Sequence, residues 1–255
     1  MKIGCLLSIR NKSTRLPGKS LLKLNGFTLV ERLIQRLKLA MLPSQVILST
    51  SYHEDDEVLC ELARKEGIPF YQGSQQDKLD RYYQTAKKFN LDAVVIVDGD
   101  DPLCFPEYID TVADTLKSKN VDCVYIEGLP LGAASTGITT EALKKVLEIK
   151  DEEDTEVWGR YFIGNQFFKS HKIKALAPYI SRKEMRLTVD YPDDFELISK
   201  IFDHFSTVPD FKSEKVIELL EVNHPEWLDI NNDAQYLYEK HIERSAPVRF
   251  KSIQA

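Results

Sequence analysis

Short runs of β-branched and other apolar residues alternate along this 255-residue chain with longer segments whose apolar positions recur every three or four residues. That alternation is the pattern of strand, crossover helix and parallel strand. Residues 3–9 form the first continuous apolar run and predict a buried strand. Leu29, Val30, Leu33, Ile34 and Leu37 then share one helical face, Pro43 closes that element, and residues 45–50 predict a second strand. Ser51 and Glu54 have capping-box spacing, so a helix is expected from there to about Lys65, with Gly67 as its stop and Pro69 beyond. Another helix is expected over 77–89. Residues 93–97 follow as an apolar run without alternation, the mark of a strand covered on both faces and therefore central to the sheet. Strands are further predicted over 121–126 and 186–189, and helices over 139–149, 192–205, 216–220 and 234–243. Residues 127–138, rich in Gly and other small side chains, read as a loop or lid. There is no internal repeat and no Gly/Ser linker, so one α/β domain with a mostly parallel sheet is expected over residues 1–244, followed by a tail at 245–255.

Composition narrows the function classes. With 43% hydrophobic and 29% charged residues the chain is of ordinary globular type, long enough to bury a core without disulfides. Lys+Arg 34 against Asp+Glu 40 leaves a net charge of −6, which argues against a nucleic-acid partner and makes any basic site a local one. Cys5, Cys60, Cys104 and Cys123 show no CxxC spacing and read as free thiols in a reducing compartment. The first apolar stretch is interrupted by Arg10, too short for a signal peptide, and no run is long enough to span a membrane. A cytoplasmic protein without a membrane partner is expected.

Three segments carry candidate chemistry. The first runs from Arg10 to Lys19 (Arg-Asn-Lys-Ser-Thr-Arg-Leu-Pro-Gly-Lys), directly after the first strand, at the carboxyl end where ligands bind in parallel sheets. Arg10, Lys12, Arg15 and Lys19 in one short turn suit a polyphosphate, although the Walker A spacing is absent. The second is Asp98-Gly99-Asp100-Asp101-Pro102, at the end of the central strand. Three acids crowded there are costly without a cation, which points to Mg²⁺. The third is Arg186-Leu-Thr-Val-Asp190-Tyr-Pro-Asp193-Asp194-Phe, in which Asp190 is a metal candidate while Asp193 and Asp194 suit the first turn of a helix. The five histidines lack metal-ligand spacing, no Ser sits in a GxSxG elbow, and the GxGxxG fingerprint is missing, so hydrolase and dehydrogenase readings have no support. Of the aromatic residues, Trp158 and Tyr161 are the ones of interest for stacking on a base or sugar.

The segment from Ser8 to Lys19 resembles the signature of the sugar-activating cytidylyltransferases, especially the SpsF-like spore-coat polysaccharide group and the CMP-Kdo synthetases. Thr50 with Asp55-Asp56, the stretch Gly73-Ser-Gln-Gln-Asp77-Lys-Leu-Asp-Arg81-Tyr82, then Gly99-Asp100-Asp101-Pro102-Leu103, then residues 186–195 are similar to that family in the same order. The resemblance implies a Rossmann-like three-layer nucleotidyltransferase that joins CMP from CTP to an acidic sugar or related acceptor and releases pyrophosphate. It implies that Arg10, Arg15 and Lys19 act on the triphosphate and that Asp100 and Asp190 hold Mg²⁺. Ser8, Lys12, Ser13, Thr50, Asp77, Arg81 and Asp98 would then contact the nucleotide or acceptor. The chain departs from the pattern at Lys12, at Asp98, in the loop 130–137, and at Glu156-Val157-Trp158-Gly159, where the SpsF-like group has Glu-His-Val-Thr. The resembled families often form dimers, and residues 215–243 are the surface expected for a homodimer. Rival readings are a nucleotidyltransferase using another NTP with a sugar phosphate, a non-catalytic nucleotide-sugar binding module, and a glycosyltransferase whose Asp-x-Asp pair would be Asp98 and Asp100.

Overall fold

A computed structural model describes residues 1–206, 210–243 and 248–251. Its centre is a seven-stranded sheet in the order β5-β4-β1-β6-β8-β7-β9. Strands β1 (Ile3–Ser8), β4 (Val46–Ser51), β5 (Phe70–Gly73) and β6 (Ala93–Asp98) are mutually parallel; β8 (Thr136–Thr139) runs antiparallel between β6 and β7 (Cys123–Glu127), and β9 (Ser170–Lys174) closes the edge parallel to β7. A two-residue hairpin, β2 (Lys23–Leu24) with β3 (Phe27–Thr28), stands apart. The sheet is sandwiched by helices, and the α/β class with a mostly parallel sheet is as expected.

Strand β1 shows how the layers arise. Ile3, Cys5 and Leu7 face α1 (Leu29–Leu37), α2 (Glu57–Lys65) and α4 (Pro106–Ser118), while Leu6 on the opposite face joins α3 (Lys78–Lys88) and α5 (Thr140–Ile149). Helix α1 begins where Thr28 and Glu31 cap each other reciprocally. A third apolar cluster gathers α6 (Pro192–His204), α7 (Ser213–Glu218) and the loops around Leu103 and Leu187 at the carboxyl end of the sheet. Helix α8 (Asn232–Glu243) follows. All four cysteines are buried and free. Among the described residues no helix is long and apolar enough to cross a membrane.

Several expectations need correction. Residues 186–189 form no regular strand: Arg186 makes one bridge to Leu131, and Val189 donates to Asp100 O at 2.7 Å, so this stretch pairs with loops. The stretch read as a loop over 127–138 ends instead in β8, which is followed immediately by α5 with Thr139 as its cap. Ser51 does not cap a helix; it ends β4 and its hydroxyl donates to Asp56, while a 3-10 turn capped by His53 leads into α2. Strands β5 and β9 and the small hairpin were not expected. Of the tail, residues 248–251 are described, and Phe250 bridges to Lys150 and packs on Tyr161 and Phe167.

Candidate active site

The carboxyl ends of β1 and β6 open into a cavity of about 500 Å³. Gly99, just past β6, lets the two strand ends close up: a Cβ there would lie 2.3 Å from Cβ of Ile9. Six cations line the cavity, Arg10, Lys12, Arg15, Lys19, Lys78 and Arg81, together with Ser8 and Ser13. The basic loop swings back into the site through Gly18, whose φ of 68° is left-handed, and a short 3-10 turn then carries Lys19. Lys19 Nζ lies 3.1 Å from Asp100 Oδ2 and 3.1 Å from Asp190 Oδ1, and donates to Val189 O at 2.8 Å. Arg15 Nη2 donates to Asp190 Oδ1 at 2.5 Å. Arg10 reaches Gln75 O at 2.5 Å and Glu156 Oε2 at 2.7 Å. Arg81 is fully buried and donates to Ser74 O and Ser8 Oγ, the latter also bonded to the Tyr82 hydroxyl at 2.6 Å.

The acids are arranged against these cations. Burial pushes the Asp190 carboxyl up, but Lys19 and Arg15 more than offset this and hold it at about 2. Burial pulls the Lys19 ammonium down, and Asp100 and Asp190 outweigh it, so Lys19 is a firmly charged cation. Asp98 and Asp101 move the other way: burial, together with the neighbouring carboxylates, raises both, and Lys78 only partly relieves Asp98. This crowding is what a divalent ion would relieve. Asp100 and Asp190 point oxygens at a common place, filled by the Lys19 ammonium, and two carboxylates completed by phosphates are a donor set that suits Mg²⁺. Among the described residues no three acids, histidines or cysteines gather as a metal cage, so Asp100 and Asp190 are the pair that would hold the ion, with the rest of its shell from substrate and water.

Behind Asp190 stands a buried network. Arg186 grips Asp194 at 2.8 and 2.9 Å and Asp190 at 3.1 Å, and Asn231 donates to Asp194 at 2.9 Å. Asp194 is thus an anchor for the Asp190 backbone as well as a first-turn acid.

A second cavity of about 500 Å³ adjoins the first and shares Arg15, Lys78, Asp98, Asp100, Glu156 and His241 with it. Its further walls come from Leu131, Thr188, Trp158, Arg160, Ile163 and Tyr238. Trp158 is thus placed at the site, packed edge-on against Tyr82, whereas Tyr161 packs on Phe250. Of the residues expected in the site, Thr50 and Asp77 line neither cavity. Thr50 donates to Asp56 inside the fold, and Asp77 caps α3 and pairs with Lys150 at 2.7 Å. The sequence reading overlooked Lys78, Tyr238 and His241. Lys78 adjoins the matched Asp77 and was open to notice; nothing local marks residues of α8 as site residues.

A mostly parallel α/β sheet whose first strand feeds a basic loop, facing acids at the end of a neighbouring strand, defines a nucleotidyltransferase. Residues 5–235 match the cytidylyltransferase family model, and the chain belongs to that family. It is 31% identical to an uncharacterized protein of Methanocaldococcus jannaschii, over 95% of this chain and all of that one. It is 25% identical to the spore coat polysaccharide biosynthesis protein SpsF of Bacillus subtilis, over 86% of this chain and 93% of the relative. The 3-deoxy-manno-octulosonate cytidylyltransferase of Geobacter metallireducens is 35% identical, but over only 43% of this chain and 42% of its own length. Among solved structures, a cytidylyltransferase of Leptospira borgpetersenii superposes with a TM-score of 0.82 at 26% identity, covering 89% of this chain and 97% of that one. A CMP:2-keto-3-deoxy-manno-octonic acid synthetase complexed with CTP shares the fold, with a TM-score of 0.61 at 13% identity over 80% of this chain and 99% of that one.

Proposed function

We propose that this enzyme transfers CMP from CTP to an acidic sugar or related acceptor, in the synthesis of a surface polysaccharide or glycoconjugate precursor. The observation that carries the reading is the cavity of six cations at the ends of β1 and β6, one of which, Lys19, meets both the Asp100 and the Asp190 carboxylates. The first cavity takes the nucleotide and the second the acceptor, with Arg15, Lys78, Asp98 and Asp100 between them. An acceptor hydroxyl oxygen forms a bond to the α-phosphorus as its proton passes to the Asp98 carboxylate, which faces both cavities, and the bond from that phosphorus to the departing pyrophosphate breaks. Arg10, Arg15, Lys19 and Lys78 balance charge on the triphosphate oxygens and orient the leaving group in line. Mg²⁺ held by Asp100 and Asp190 would add charge neutralisation at the same oxygens. The acids facing the second cavity, Asp98 and Asp101, supply acceptors for sugar hydroxyls.

The test is pyrophosphate release by the purified protein with Mg²⁺, each NTP in turn, and a panel of 2-keto sugar acids and sugar phosphates. Release with CTP and one sugar acid is expected. Release only with another NTP and a sugar phosphate would replace both the base and the acceptor assignment.

A further inference from the structure

Two cations of the nucleotide cavity have an anionic partner that is not a strand-end acid. Glu156 receives Arg10 Nη2 on Oε2 at 2.7 Å and Lys78 Nζ on Oε1 at 3.1 Å. One carboxylate thereby spans the loop after β1 and the first turn of α3, as two phosphate oxygens would. Burial pushes the Glu156 carboxyl up, but Lys78 and then Arg10 outweigh it, so it is an anion at neutral pH. The Glu156 side chain is nevertheless 53% exposed, which makes the pairing a water-screened and weak one. A triphosphate, with several times the charge, outcompetes it for the same two cations.

Displacement would be felt next door. Thr155 is a fixed post, since its hydroxyl donates to Asp77 and accepts from Leu79 N at the start of α3. Beyond Glu156 the chain runs straight into Val157 and Trp158, which form a wall of the second cavity, where they meet Asp98 and Asp100. The only span between post and wall is Glu156 itself.

We propose that Glu156 is a positioning residue that holds Arg10 and Lys78 in the place of phosphate and, when a triphosphate displaces it, shifts Val157 and Trp158 so that nucleotide binding shapes the acceptor cavity. The inference rests on the first cavity being the triphosphate site. It goes beyond that reading in giving the two substrates an order.

The experiment titrates CTP and, separately, inorganic tripolyphosphate into the full-length protein at fixed Mg²⁺, following heat and tryptophan emission. The chain has two tryptophans, so a Trp227→Phe background leaves Trp158 as the reporter. Glu156→Gln is expected to bind both ligands about twofold to fivefold more tightly, to lose the ligand-induced emission change of the parent, and to lower the nucleotide KM without raising kcat. Glu156→Asp keeps the charge but is one methylene too short to span both cations, and should fall between. Thr155→Ala, which loosens the segment but leaves the carboxylate, should not tighten binding. Equal or weaker tripolyphosphate binding by Glu156→Gln would overturn the inference. If tripolyphosphate behaves as expected while CTP does not bind, the inference stands and the nucleotide assignment falls. If neither ligand binds either protein, both fall.

Discussion

Replacing Asp194 by Asn removes the charge that anchors Asp190. Asp194 and Arg186 form a two-pronged ion pair whose side chains are 0% and 2% exposed. Asp194 Oδ2 also accepts the backbone N–H of Asp190 at 2.9 Å and of Tyr191 at 3.0 Å. Asn keeps the shape but leaves the buried guanidinium with only Asp190 as a charged partner. Breaking one side of a buried pair costs about 3–5 kcal/mol. At about 2–4 °C per kcal/mol for a chain of this size, Tm should fall by about 6–20 °C. The retained Arg186–Asp190 contact favours the lower end of that range. Calorimetry on Asp194→Asn measures the loss, and Asp194→Leu should lose more, because it also strips the acceptor from the Asp190 and Tyr191 N–H groups. A loss under about 1 kcal/mol would refute the reasoning, since it would mean that water reaches the pair and the network does not hold Asp190.

Other outcomes follow from the same geometry. Lys19→Ala should lower kcat/KM for the nucleotide by about 100-fold, and a change under threefold would remove Lys19 from the triphosphate site. Gly132 has φ 92° and a Cβ there would lie 2.5 Å from Thr188 N, so Gly132→Ala should cost about 1–3 kcal/mol in thermal or urea unfolding. Glu31 gives a pH test. Burial pushes its carboxyl up, but Lys65 and the Thr28 hydrogen bonds outweigh this and hold it at about 2, below the ordinary 4.5. A folded-state pKa below the unfolded one stabilises above the unfolded value and is lost as pH falls through the folded one. Glu31→Gln should therefore be about 1 kcal/mol less stable at pH 7, a gap closing between pH 4.5 and about 2; a pH-independent gap would contradict it. Chelation of divalent ions should abolish turnover, with Mg²⁺ restoring it.

How much of this was legible depended on whether the signal was local. Helix α1 could be read because Leu29, Val30, Leu33, Ile34 and Leu37 bury one face, and β6 because its apolar run is covered on both sides. Strand β9 reads Ser-His-Lys-Ile-Lys, a polar edge strand with alternating exposure and no apolar signature. Strand β8 contains Gly137, where a Cβ would lie 2.5 Å from Val112; the close approach of α4 selects small residues that mimic a loop. Residues 186–189 carry strand-like side chains but find Leu131 and Asp100 as partners, which no local pattern encodes. In the candidate site, Arg10, Arg15, Lys19 and Asp100 were readable because strand ends and charge clusters are local features, whereas Asp190 follows a stretch that forms no regular strand and meets the site through Arg15 and Lys19. The pairing of Glu156 with Arg10 joins positions 146 residues apart, and no local pattern encodes it.

The most direct test of the central claim is the stoichiometry of products from CTP, Mg²⁺ and a responsive sugar acid, by mass spectrometry. Attack at the α-phosphorus predicts one CMP–acceptor conjugate for each pyrophosphate. CDP or orthophosphate in place of pyrophosphate would show that the bond broken lies elsewhere in the triphosphate, and would contradict the account.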